Sequence, residues 1–208
     1  NIHTTPMRDI FRPPLLGKTL VAIAVASVPL IATWGAVSGF LPLWADSLAG
    51  PDNPHAKAQV QFMIAIGAIL GCLLGSWLGH RIGRRPAYFV LCALSLGLCA
   101  YLFRVLDTFN MQFMIVAGLV GIVSAAFYGW APLYLPELFP TRVRATGQGL
   151  AFNSGRVFAA IGAIMTGQMM AAFGGSYATA CATITLIYIF GMVIIWFGPE
   201  TKGKPLPD

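Results

Sequence analysis

The stretch "SWLGHRIGRRP", residues 76–86, decides how this chain is read. Its last eight residues hold His80, Arg81, Arg84 and Arg85, four basic groups in one short segment. On both sides the charge vanishes: residues 58–79 and 86–103 carry none, and neither do 19–45 and 108–136. A spanning helix needs about 20 apolar residues, and each of these runs supplies them or comes close. The composition agrees. Of 208 residues 57% are hydrophobic and only 10% charged, where a soluble domain carries about 25% charged residues; the mean hydropathy is +0.75. Lipid is the solvent such a chain expects.

After Arg144 a further apolar run extends to Pro199, interrupted by Arg156 and by the turn Gly174-Gly175-Ser176. Six spans follow, near 19–45, 58–79, 86–104, 110–136, 145–173 and 176–198. Residues 1–18 form a loop before them and 199–208 a tail after them. Alternation then sorts the cations. Arg8, Arg12, Lys18, Arg81, Arg84, Arg85, Arg142, Arg144, Lys202 and Lys204 fall on one side, with only Lys57 and Arg104 on the other. Short basic loops stay in the cytoplasm, so both termini are expected there. The net charge of +6 thus reflects topology, and no nucleic-acid partner is expected. No n-region and cleavage site precede the first run, so no signal peptide is expected either. Cys72, Cys92, Cys99 and Cys181 all lie in apolar runs without ligand spacing, which argues against a disulfide or a metal. No nucleophile–base pair is evident, so neither an enzyme nor a cofactor is expected.

Two spans carry small residues every fourth position. Gly67, Gly71, Gly75 and Gly79 mark the second; Gly147, Ala151, Gly155, Ala159, Ala163 and Gly167 mark the fifth. Such ridges let backbones approach where helices have little hydrophobic drive to associate. They suit either ordinary bundle packing or a dedicated sliding or docking face. Pro29 and Pro42 in the first span, and Pro132 and Pro136 in the fourth, are expected to kink or interrupt their helices.

Three segments resemble one family. "SWLGHRIGRRP" is similar to the G-x-L-x-D-R-x-G-R-R loop of the major facilitator superfamily. "PELFPTRVRATGQG", residues 136–149, resembles the P-E-x-F-P-x-x-x-R-x-x-G stretch of its sugar-porter-like and metabolite:proton symporter branches, and "PETKGKPL", residues 199–206, their P-E-T-K-G tail. Their order implies an all-α membrane protein with six transmembrane helices, the C-terminal half of the twelve-helix fold. It implies alternating-access transport of a small metabolite, with proton coupling, across a plasma membrane of bacterial inner-membrane type. It also implies that His80, Arg81, Arg84, Arg85, Glu137, Arg142, Arg144 and Glu200 form an ion-pair gate at the cytoplasmic mouth. The sequence departs from the pattern at His80, where the loop motif has Asp, and at Ser76, where it has Gly. The Q-Q-x-S-G-x-N sugar signature is absent from "IATWGAVSGFLPLW", residues 31–44, and the family's Trp before the E-x-F-P element is Pro132 here. A sugar substrate is disfavoured.

In the family the first and fourth helices of each half line the cavity, which makes Trp34, Ser38, Ser124 and Tyr128 candidate substrate contacts. Arg156 stands out without any resemblance. It lies 12 residues past Arg144, about 18 Å along a helix, and a charge at that depth is a functional hypothesis by default. With Asn153 one turn earlier, it would pair with a substrate carboxylate, so an organic anion is expected, unless it snorkels to the inner surface. No Asp or Glu lies within a span, so any proton-coupling carboxylate lies elsewhere. The lipid bilayer and a small-molecule substrate are the expected partners. The six spans would be completed by an N-terminal six-helix half or a second copy; the alternative is an accessory or structural subunit held among other membrane subunits.

Overall fold

A computed structural model of the chain describes residues 6–208; residues 1–5 of the expected N-terminal loop lie outside the described residues. The described chain is all helix: α1 (Pro6–Ile10), α2 (Leu16–Ala32), α3 (Leu41–Ala49), α4 (Ala56–Ile82), α5 (Arg84–Arg104), α6 (Met111–Glu137), α7 (Arg144–Ala172), α8 (Tyr177–Ile184) and α9 (Ile187–Ile194). Five stretches are long and apolar enough to cross a membrane: Leu16–Asp52, Ala56–Ile82, Arg84–Arg104, Met111–Glu137 and Tyr177–Phe197. The expected fifth span is α7. It is continuous over 29 residues, about 43 Å at 1.5 Å per residue, but Gln148, Asn153, Arg156 and Gln168 make it less apolar, and it does not join those five.

The prolines act more gently than expected. Pro29 lies inside α2, and the helix continues to Ala32. A proline deprives the carbonyl four residues back of its donor. That carbonyl, Val25 O, accepts from the phenol of Tyr88 at 2.9 Å instead. Pro42 starts α3, in its first turn, and Pro132 and Pro136 leave α6 unbroken to Glu137. The first span changes its winding just after Pro29, in a π-helical turn over Thr33–Val37, where the Ser38 amide donates to Thr33 O at 2.7 Å. The last span is also divided. The Thr185 hydroxyl donates to Cys181 O and Ala182 O at 3.0 and 3.1 Å, and Tyr188 N bonds Thr185 O across the step from α8 to α9. Gly174 and Gly175, both at positive φ, make the expected turn, and Ser176 caps α8 by accepting from Thr179 N at 3.2 Å.

Two tight helix pairs organise the bundle, α4 with α6 and α2 with α7; α5 packs on α6, α8 and α9. The glycine row of α4 lies buried against α6. A methyl group on Gly67 would stand 2.5 Å from Gly118 O, and on Gly71 or Gly75 it would overlap the backbone of Ile122 or Ala126. The fit is mutual. A methyl on Gly121 would meet Ile64 O at 2.8 Å, and one on Gly129 would overlap Cys72. Ser76 Oγ donates across the seam to Gly129 O at 2.8 Å. The α7 row packs likewise: Gly155 meets Ala26 and Leu30 of α2, while Gly147 meets Phe139. Beyond Ala159 the buried ridge passes to Gly162 and Thr166, because a row of every fourth residue drifts around a 3.6-residue helix; Gly167 faces open space. The α4 row, and the α7 row as far as Ala159, are thus occupied inside the bundle.

Gly75→Ala should destabilise the chain by about 1–3 kcal/mol or more, since neither backbone can yield in a packed seam. Gly97→Ala on α5, where nothing lies within 4 Å, should be neutral or slightly stabilising. Thermal unfolding of the two variants in one detergent checks the contrast.

Candidate functional site

The charged loops converge at the end of the bundle that holds the tail. Gly83, at φ 106°, a conformation that strains any side chain, links α4 to α5, and a methyl there would crowd Glu200 Oε2 at 3.0 Å. The turn sets Arg84 beside the end of α6. Its Nη2 and Nε donate to Glu137 Oε1 and Oε2 at 2.6 and 3.0 Å, a two-pronged pair, and Nη1 donates to Gly79 O at 3.1 Å. The side chains are 10% and 16% exposed, so the pair lies largely out of water. The Thr201 hydroxyl also donates to Glu137 Oε2. Trp130 Nε1 donates to Arg84 O at 2.9 Å, within an aromatic stack of Tyr88, Trp130 and Tyr134 whose successive ring centroids are 4.7 and 4.8 Å apart.

Glu200 plays a different part. Its carboxylate accepts from the amides of Arg84 and Arg85 at 2.9 and 3.0 Å, and from those of Thr201 and Lys202 at 3.0 Å each. It caps α5, which has no side-chain cap of its own, and its charge sits favourably at a helix N-terminus. Partial burial pushes the Glu200 pKa up, but the four backbone donors outweigh it and hold the carboxyl below its ordinary value. Tyr134 Oη donates to Pro199 O at 2.9 Å, and Arg144 Nη2 to Pro207 O at 2.8 Å, so the tail is strapped across the helix ends.

The other residues of the expected gate are spread out. Arg142 pairs with Asp9 at 3.1 Å, and Arg144 also donates to Pro136 O and Phe139 O at 3.1 and 3.3 Å. His80 and Arg81 are exposed.

A second site lies along the middle of α7. Trp34, Phe40, Leu43, Arg156, Ala159 and Ala163 are among the residues lining a hollow of about 680 Å³. An adjoining one of about 410 Å³ shares Arg156 and adds Gln148, Phe152 and Asn153. Tyr128, Pro132 and Leu135 of α6 line a third hollow against Gln148 and Phe152. The surface is therefore continuous from α3 through α7 to α6. The π turn presents Trp34 to it, 54% exposed. The Arg156 guanidinium lies 5.1 Å from the Phe152 ring centroid, one turn back, and among the described residues it has no carboxylate partner. Asn153 is exposed, its amide donating to Gly149 O at 2.8 Å. Ser38 is half-buried near the π turn. Ser124 is apart from the hollows: it is 3% exposed and bonds Gly121 O at 3.3 Å. Phe152 and Gln148, unsuspected from sequence, follow from Arg156 by counting back four and eight residues on one helix face.

Comparisons with known proteins agree with this architecture. The sequence profile of the sugar (and other) transporter family matches residues 48–208. The chain belongs to that family, within the major facilitator superfamily, and is a multi-pass membrane protein. It is 32% identical over 141 residues to a putative metabolite transport protein of Haemophilus influenzae, covering 67% of this chain and 34% of that one. It is 29% identical over 189 residues to a probable 4-methylmuconolactone transporter of Cupriavidus pinatubonensis, 87% and 42% covered. It is 27% identical over 209 residues to a 3-(3-hydroxy-phenyl)propionate transporter of Escherichia coli, 98% and 49% covered. The chain spans about a third to a half of the length of these relatives.

Glu200→Gln should lower stability at neutral pH by weakening the α5 cap. Because the folded pKa is depressed, the carboxylate's contribution is complete above its unfolded pKa and is lost as pH falls through the lower folded value. The melting curves of parent and variant should therefore differ at pH 7 and converge on acidification below the ordinary carboxylate range.

Proposed function

We propose that this chain is the C-terminal six-helix half of a secondary transporter that moves a small organic acid by alternating access. In this reading α7 is the sixth spanning helix, and both termini lie in the cytoplasm of a bacterial cell, as the basic loops on the tail side favour. Arg156 carries the substrate assignment. It sits near the middle of a 29-residue helix, lines two adjoining hollows and lacks a carboxylate partner among the described residues. A cation held there, among Trp34, Tyr128 and Phe152, matches a carboxylate on a planar or aromatic body. The relatives named for a muconolactone and a hydroxyphenyl-propionate point the same way. Proton coupling is part of the proposal and would use a carboxylate outside these spans. The exposed hollows would face the remaining half of the transporter, whether a separate chain, a preceding segment or a second copy.

The native mass of the assembly purified from its membrane, with each chain identified, tests the architecture. Six further spans support the proposal. This chain alone among unrelated subunits favours an accessory subunit instead.

Within a competent assembly, Arg156→Ala should weaken uptake of an aromatic carboxylate about 3- to 50-fold, the worth of a charge-assisted hydrogen bond less the ring contact it displaces. The amount of folded protein should hold, because Arg156 is exposed and contacts Phe152. Uptake at the parent rate by this variant would remove Arg156 from the site.

A further inference from the structure

At the tail end of the bundle the nearby acids are already committed. Glu200 receives four backbone amides. Glu137 receives Arg84 and Thr201. Arg81, Arg85 and Lys202 therefore have no side-chain counter-ion among the described residues.

These three cations are gathered at one corner. The Arg85 and Lys202 amides both donate to the Glu200 carboxylate, at 3.0 Å each, so the two residues flank one group. Lys202 Nζ donates to Arg81 O at 2.7 Å, which carries the ammonium to the end of α4. Arg85 lays its guanidinium over Trp196, 4.9 Å from the ring centroid, and its Nη2 donates to Trp196 O at 2.9 Å. Its Nε is buried and has no partner. Part of the donor capacity of this corner is unused.

Apolar surface continues from the same corner along α5 and α9. The Phe89 and Trp196 rings are 5.6 Å apart and both are exposed, as are Phe190, Val193 and Phe197. On the face of α5 that bears Phe89, the next two positions are Ala93 and Gly97, both exposed, with nothing within 4 Å of Gly97. Small residues there leave a shallow strip beside larger ones. Cations at a helix end, a ring at the same level and a long apolar strip beyond match the three parts of a phospholipid: phosphate, glycerol region and acyl chain.

We propose that this corner binds an anionic phospholipid of the leaflet that meets the tail. Arg81, Arg85 and Lys202 hold its phosphate, and an acyl chain lies along Phe89, Ala93 and Gly97. The surplus of cations selects an anionic headgroup over a zwitterionic one. The apolar strip selects a lipid over free phosphate.

Native mass spectrometry of the full chain, released from detergent with added phosphatidylglycerol, phosphatidylcholine or inorganic phosphate, tests this. Phosphatidylglycerol should be retained in preference to phosphatidylcholine, and equimolar inorganic phosphate should not displace it. Arg81→Gln and Lys202→Gln, both at exposed positions, should each weaken retention about fivefold. Arg142→Gln, at the same end of the bundle but paired with Asp9, should leave it unchanged. Arg85→Gln should weaken it further; if that variant does not fold, the other two decide. Three results would overturn the proposal: equal retention by parent and the Arg81→Gln/Lys202→Gln double variant, equal retention of the two lipids, or displacement by inorganic phosphate.

Discussion

The backbones of α4 and α6 touch, and the placement of the charged end depends on that contact. Lipid tails are as apolar as leucine, so helices in a bilayer gain little by hiding apolar side chains from it. They gain by approaching closely enough for dispersion and weak hydrogen bonds to accumulate. Gly67, Gly71 and Gly75 on one helix and Gly121 and Gly129 on the other give that approach from both sides. Ser76 then reaches across to a carbonyl that a wider seam would put out of range. The seam also brings the end of α4 to the end of α6. The turn after Gly79 thereby delivers Arg84 onto Glu137 in two-pronged geometry, which a shift of about an ångström would spoil.

That pair belongs to a set of helix-end devices more than to a simple latch. Glu200 caps a helix that begins 116 residues earlier in the chain, and Lys202 bonds a carbonyl at the end of α4. Each sets a charge against the helix-dipole end of opposite sign. Exposed ion pairs contribute only about 0–1 kcal/mol each, whereas a partly buried pair is costly to break from one side. Of the eight gate residues expected from sequence, Arg84, Glu137 and Glu200 are therefore bound into the fold of this half. His80 and Arg81 remain exposed, and Arg142 is held by a solvated pair. A moving latch to another half would draw first on His80 and Arg142.

The division between what was legible and what was not follows from the range of the forces involved. Uncharged runs and basic loops are local, so the helical stretches and their grouped cations stand in the sequence. The glycine rows are local too. Their partners are not, because a ridge on one helix does not name the groove it enters. The π turn at Thr33–Val37 carries no marker beyond Pro29 one turn before it, yet it aims Trp34. Ser124 shows the limit of helix arithmetic. It lies one turn from Tyr128 on α6, yet it is enclosed and its hydroxyl turns back onto its own helix at Gly121 O. Arg156 was legible because a lone charge in an apolar run is costly wherever it points. That it folds onto Phe152 was not, since the choice between ring and water is made by the side chain's own surroundings.

That choice bears on what the hollow can do. A guanidinium over an aromatic ring gains about 0.5–1 kcal/mol when exposed and about 2 when desolvated. A charge-assisted hydrogen bond to a carboxylate is worth about 1.5–3 kcal/mol. On the proposed reading an arriving carboxylate would take Arg156 by a small margin, because Phe152 stands ready to receive the guanidinium again. A binder would be better served by a rigid, preorganised arginine with a larger difference. A carrier must bind on one side and release on the other, and its site should hold the substrate only slightly better than it holds its own ring. In such a carrier the cation–π contact would give the Arg156 guanidinium a resting partner between cycles. It would also limit how tightly any single substrate is held, which a carrier needs for release.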